Sequence, residues 1–365
     1  MWIQYANKIL LSKPECLAND VAIIPNILSY FILAVITILG TNLIWDVTST
    51  ANGSTEPIKL GVTVWAPDFF SYLAQEKGFF EKNKVKVELT LEQDYRQVLN
   101  KYVNGDFDGM IPVYADIIYL NSQGLDSRVV YAVDLSNTAD VIIGNLNNSI
   151  NNTTLADVKG KKISVEGINS FSHLFVLEAL KKVGLGEGDV EIADVSVENV
   201  TNELEKGTIV AGHINEPYTT EALTKGYKIL FAAGTIPGVI TDVLVFHSDI
   251  TEQRPQEIQA IIKSIIEAQM YYENNKEESL KIMSNRSGIG EQEIKSGLES
   301  VTLPSLKEIV VDLMNSTSND PASLYSSGKY ISEFFLERGQ IVESPDLSQI
   351  VDSDFVKALY EGASN

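Results

Sequence analysis

In VTVWAPDFFSYLAQEKGFF, residues 62 to 80, an oily strand runs into a Trp-Ala-Pro turn and then into an amphipathic helix closed by Gly78. Trp65 therefore stands at the carboxyl end of a strand and just ahead of a helix, the place where open parallel sheets bind their ligands. A ring there can cover an organic ligand or a cation, and the helix start beside it offers N–H groups to negative charge. It can equally serve only to pack the domain. Either role is non-covalent, and covalent chemistry has little to work with. The single cysteine, Cys16, excludes disulfides and thiol pairs within the chain, and three histidines, His173, His213 and His247, argue against an all-protein metal cage. There is no G-x-S-x-G elbow, phosphate loop or HExxH. No catalytic residue, metal or cofactor is expected.

The elements that must position Trp65 alternate. Leu60, Val62 and Val64 read as a strand, and Asp68 can cap a helix whose Phe69, Phe70, Leu73 and Ala74 share a face. VKVELTL leads to a helix from about Asp94 to Asn104, stopped by Gly105; FDGMIPV, a short helix around Ile117 to Gln123, and RVVYAVD continue the pattern. After the polar NLNNSINNTT, strands at DVKGKKISVE, VEIADV, IVAGHI and KILFAA alternate with helices at about Ser172 to Val183, Val200 to Lys206 and Tyr218 to Lys225. DVLVF is one more strand, and helices follow it, among them Gln256 to Tyr272 and Ser323 to Glu337. Runs of βα units imply mostly parallel sheets with helices on both faces. One strand followed by helices is too little for a third sheet, so the chain is expected to return to its first domain and clothe it.

Two crossings between two sheets make a clamshell. The expected domains are residues 58–140 with 240–365, and residues 141–239, joined through DLSNTAD and GTIPGVITD. A chain of 365 residues is long enough to divide in this way. Its 28 Lys and Arg against 49 Asp and Glu give a net charge of −21, which argues against a nucleic-acid surface.

Residues 1–57 are of another kind: a stub, a transmembrane or signal segment, and a linker. Ile27 to Trp45, ILSYFILAVITILGTNLIW, carries no charge and is about long enough to cross a bilayer. Lys8 and Lys13 precede it, so the amino end is expected in the cytoplasm and the rest on the outer face of the membrane. Ser49-Thr50-Ala51 could serve as a cleavage site, which leaves anchoring and secretion both open. Sequons at Asn52, Asn147, Asn151, Asn152, Asn199, Asn285 and Asn315 all follow the apolar run, and an acidic exterior protein carrying them suits an archaeal cell surface.

Residues 58 to about 300 resemble the nitrate, sulfonate and taurine family of substrate-binding proteins of ATP-driven (ABC) importers, which is related to the thiamine-precursor binding proteins. The phrases that carry the resemblance are VTVWAPDFFSYLAQEKGFFEKNKVKVEL, NGDFDGMIPVYADIIYLNSQGLDSRVV, DLSNTADVIIG, LADVKGKKISVEGINSFSHLFVLEALKKVGL and HINEPYTTEAL, in the family's order. It implies a type II periplasmic-binding-protein clamshell, monomeric, that closes on a small-molecule ligand and delivers it to a membrane permease and its ATPase. It also implies a ligand set. Trp65, Ala66, Pro67 and Asp68 would form the first wall, with Val113, Tyr114 and Asp116 at the next strand end and Ser136 and Asn137 at the first crossing. Ser170, Ser172 and His173 would face the cleft from a helix start, Asn215 and Glu216 from a turn where Asn replaces a frequent Trp, and Asp242 where the chain re-enters the first domain.

Each position has a plainer role open to it. Ser172 can be an N-cap, Pro217 can start a helix, Asp68 and Asp116 can cap, and His213 and His247 read as structural. None of the matched ligand phrases supplies an inward Lys or Arg, so an organic zwitterion or a sulfonate carrying an amine is expected in preference to nitrate. The competing readings are a sensory module and an enzyme like the thiamine-pyrimidine synthase of the same fold, whose cysteine-rich motif is missing here.

Overall fold

A computed structural model describes residues 56–144 and 154–364 of the chain. The apolar run Ile27 to Trp45, Cys16 and the sequons at Asn52, Asn147, Asn151 and Asn152 lie outside the described residues. Among the described residues no helix is long and apolar enough to cross a membrane.

The strands, in chain order, are β1 (Ile58–Val62), β2 (Val87–Leu91), β3 (Gly109–Met110), β4 (Ser127–Ser136), β5 (Val141–Gly144), β6 (Lys162–Val165), β7 (Glu191–Asp194), β8 (Ala211–Ile214), β9 (Lys228–Ala232), β10 (Thr241–His247) and β11 (Val301–Thr302). They form one sheet in the order β11-β4-β10-β3-β1-β2 and another in the order β7-β6-β8-β5-β9. The two-sheet α/β fold is the expected one, with a difference in strand direction. β1 runs parallel to β2 and β3, and β6 to β7 and β8, as βα units require. The remaining pairs, β10 with β3 and β4, β11 with β4, and β5 with β8 and β9, are antiparallel. The sheets are therefore mixed rather than mostly parallel. The antiparallel members include the strands that flank the crossings, β4 to β5 and β9 to β10, because a chain that leaves one sheet for the other does not return through a crossover helix.

The crossings run side by side. Gly234 N–H donates to Asn137 O at 2.7 Å, Ala233 N–H to Asp140 O at 3.0 Å, and Ser136 N–H to Ile240 O at 3.1 Å. Helices after residue 247 return to the first sheet: Tyr272, on the helix Pro255–Asn274, sets its ring edge-on to Phe70 at 5.7 Å, and Phe335, on Leu324–Glu337, meets Tyr119 at 5.6 Å. On the other face of β1, a Cβ on Gly61 would fall 2.7 Å from the Phe107 ring and 3.0 Å from Val98, so only glycine lets the helix Tyr95–Val103 lie this close.

Candidate functional site

The carboxyl ends of β1, β2, β3, β6, β7 and β8 converge on a cavity of about 700 Å³ between the two sheets. The first sheet contributes Thr63, Val64 and Trp65 after β1, Gln93 to Arg96 after β2, Ile111 and Val113 after β3, and Ile240 and Asp242 at β10. The second contributes Glu166 and Phe171 after β6, Asp194 and Ser196 to Glu198 at the end of β7, and Asn215 to Tyr218 after β8, with Asp140 at the crossing. Placement at strand ends is what parallel βα units produce, because each strand ends where its helix begins.

Trp65 is on this wall, half-buried, and its indole N–H donates to Asp134 Oδ2 at 3.2 Å. Val113, Asn215, Glu216 and Asp242 line the cavity as well. Glu216 is engaged already: its oxygens accept from Thr220 N at 3.2 Å and Thr220 Oγ1 at 3.0 Å, which fastens the start of the helix Tyr218–Thr224.

The other expected ligand residues do not line the cavity. Pro67 and Asp68 are buried in the turn after β1, where Asp68 Oδ2 accepts from Thr63 N at 2.9 Å and Thr63 Oγ1 at 2.8 Å. The Tyr114 ring is buried toward Gly328, on the helix Leu324–Glu337. Ser136 Oγ accepts from Asp140 N at 3.0 Å and the Asn137 amide donates to Thr302 Oγ1 at 2.7 Å, so both serve the crossing. Ser170, not Ser172, caps the helix Phe171–Lys182, accepting from Ser172 N at 3.2 Å and His173 N at 3.4 Å. His173 Nδ1 accepts from Asn169 N at 3.1 Å, while Nε2 lies 3.4 Å from Glu187; burial holds this imidazole below its ordinary pKa.

Asp116 explains why that helix start offers nothing to a ligand anion. Its Oδ1 accepts from Phe171 N at 3.4 Å and its Oδ2 from Tyr95 Oη at 2.7 Å, so a carboxyl of the first sheet's helix Tyr114–Ser122 takes the anion's place at the helix end of the other half. Burial raises its pKa to about 6.

A cation that sequence reading missed is present. Arg96 Nη2 reaches across to Glu166 Oε1 at 3.9 Å and Asp194 Oδ1 at 3.8 Å, with 48% of the side chain exposed. Distances this long at a half-exposed side chain leave the guanidinium weakly held and available. The only local signal was Asp94, which caps its helix and places Arg96 in the first turn. His213 is structural with an outlet to the cavity: Nδ1 pairs with Ser172 Oγ at 2.8 Å and Nε2 with Asp140 Oδ1 at 3.0 Å. Among the described residues no group of three or more His, Cys, Asp or Glu is placed to hold a metal ion. The pocket presents rings at Trp65, Tyr95, Phe171 and Tyr218 and charges of both signs.

Comparison with known proteins places this geometry in context. The sequence profile of the NMT1-like family matches residues 51–284. The taurine-binding periplasmic protein of Escherichia coli (strain K12) is 27% identical over 214 residues, covering 55% of this chain and 63% of that protein, so the chain spans a little under two thirds of that relative's length. Among solved structures, the periplasmic aliphatic sulphonate binding protein SsuA from Escherichia coli aligns with a TM-score of 0.65 at 21% identity, over 81% of this chain and 97% of that one. The alkanesulfonate-binding protein SsuA from Xanthomonas axonopodis pv. citri, bound to MOPS, aligns with 0.65 at 17%, over 82% and 100%. The desulfurization enzyme DSZB does so with 0.63 at 15%, over 84% and 99%. At these identities the structural likeness is one of fold alone, and the fold is that of the periplasmic binding proteins. The family rests on the profile, which spans well over half of the 365 residues: the chain belongs to the NMT1-like family.

Proposed function

We propose that this protein is an extracytoplasmic solute-binding protein that captures a small organic zwitterion at the outer face of the membrane and delivers it to an ABC permease and its ATPase. The observation that carries the reading is the cavity between the two sheets, where rings at Trp65, Tyr95, Phe171 and Tyr218 meet charges of both signs. Arg96 supplies the contact for a sulfonate or carboxylate, and Asp242 the contact for an amine, with Trp65 over the organic middle. Nitrate satisfies only one of these poles. The relative named for taurine supports a solute of this size and charge. On this reading the halves 58–140 with 240–365, and 141–239, close about the two crossings.

Thermal shift and calorimetry on the full chain with taurine, glycine betaine, ethanesulfonate and nitrate test it. A zwitterion at a hundred times its Kd adds about 2.7 kcal/mol to stability. Failure of every zwitterion to stabilise the protein, or nitrate binding as tightly as any of them, would overturn the reading.

A further inference from the structure

Asp134 and Asp242 face one another across the antiparallel strands β4 and β10, in direct register, where the chain leaves and re-enters the first sheet. Directly opposed side chains carry Cβ atoms about 5 Å apart. Asp134 is 0% exposed and Asp242 7%, and the two carboxyl groups lie within hydrogen-bonding reach. Two buried carboxylates at that spacing cannot both hold a charge, so one proton between them is the stable arrangement.

Among the described residues their surroundings supply no countercharge. Trp65 Nε1 donates a neutral hydrogen bond to Asp134 Oδ2 at 3.2 Å, and Asp134 Oδ1 has no hydrogen-bond partner among the described residues. The titratable groups that face the pair are Asp68 in the turn after β1, Asp140 at the crossing, Asp116 on the helix Tyr114–Ser122 and Tyr95 on the helix Tyr95–Val103, none of them cationic. Asp242 differs from the other carboxylates of the cavity wall. Asp94 caps its helix, Asp140 pairs with His213, Asp194 accepts from Gly167 N, and Glu216 from Thr220. Glu198 accepts from Ser196 Oγ, and Glu166 from Val197 N–H. Asp242 alone turns to the cavity with another carboxyl as its only side-chain partner among the described residues.

We infer that Asp134 and Asp242 share one proton in the unliganded protein and that a ligand ammonium arriving at Asp242 expels it, so that capture of the solute releases a proton to solvent. The inference deepens the solute-binding reading and assigns the amine pole to Asp242. The balance is simple: the O–H between the carboxyls ionises, the proton leaves for water, and the ammonium takes over the charge the proton had compensated. Burial raises the pKa of both groups, which agrees with a proton retained at neutral pH.

Two probes test the inference on the full chain. Taurine is titrated calorimetrically in phosphate and in Tris at about pH 7.5, beside isethionate, which has a hydroxyl in place of the ammonium. Taurine is expected to release about one proton and isethionate none, and the taurine Kd to weaken up to about tenfold per pH unit on acidification. Infrared spectroscopy reads the shared proton as one component of the protonated-carboxyl carbonyl band, beside that of buried Asp68; this component is expected to be lost at saturating methylammonium, unaffected by NaCl, and missing in Asp242→Asn. If that variant does not fold by circular dichroism, Asp134→Asn replaces it. Buffer-independent taurine binding with the carbonyl band intact under methylammonium would overturn the inference and leave the solute-binding reading standing, and equal proton release by isethionate would also overturn it. Loss of the band to methylammonium without taurine binding would support the proton exchange while counting against a taurine-like solute.

Discussion

Asp68 places both of its hydrogen bonds on one oxygen. Oδ2 accepts from the backbone and hydroxyl of Thr63, while Oδ1 is buried without a partner among the described residues. Burial raises the carboxyl's pKa well above its ordinary value, and a protonated group fits this arrangement because one oxygen suffices for both donors. Asp68 thus ties Thr63 to the turn and holds Trp65, two residues on, at the cavity wall. Removing it strands two buried donors, each worth about 1–3 kcal/mol. Asp68→Ala is expected to lower unfolding free energy by about 2–4 kcal/mol, whereas Asp68→Asn, which keeps an acceptor oxygen without charge, costs less than about 1 kcal/mol. Urea denaturation of both variants at about pH 7.5 checks this; an Asp68→Ala midpoint equal to wild type would show that the tie contributes nothing.

At the scale of elements, the start of the helix Phe171–Lys182 organises the second half. Ser172 is wholly buried, accepts from Glu166 N at 2.8 Å and pairs with His213, which in turn holds Asp140. Ser172→Ala is expected to cost about 2 kcal/mol, since Glu166 N–H and the imidazole both lose a buried partner. Unchanged stability in thermal denaturation would count against that chain of contacts. The elements themselves were legible because periodicity and caps act locally. The expected helix at 94–104 is Tyr95–Val103 with Asp94 as its cap, and the helix expected from Val200 to Lys206 has those bounds. Gly78, expected to end its helix, has a φ of 70°. Strand direction was not legible, because parallel and antiparallel pairing share one alternation of side chains and differ only through the path of the chain.

At the scale of the whole molecule, the site was legible as a set of places rather than a set of side chains. Strand-end reasoning pointed to Trp65, and the family resemblance to Val113, Asn215, Glu216 and Asp242, all of which are on the wall, but Arg96 and Glu198 sit in first helical turns whose local signals are only those of helix starts. Which side chain turns inward depends on the approach of the second sheet, and no local pattern encodes that. The same burial predicts how the entire protein responds to pH. Asp68, Asp116, Asp134 and Asp242 all carry raised pKa values, chiefly from desolvation. A carboxyl raised in the folded state lends stability below its unfolded value and loses it as pH rises through its folded value; for Asp116 that window runs from 3.8 to about 6. The net charge of −21 adds self-repulsion in the same direction, since it grows as surface acids ionise. Salt separates the two effects, because exposed charges are screened within about 10 Å at 0.1 M while buried ones are screened much less. The melting temperature of the unliganded protein is expected to fall from about pH 5 to pH 8 at low salt, and to keep part of that fall at high salt. Asp116→Asn should remove the portion of the fall below about pH 6, and Asp242→Asn a portion at higher pH. A melting temperature that is flat or rises with pH at high salt would mean that these carboxyls are charged in the folded protein, and the buried cluster would then need a cation that the described residues do not supply.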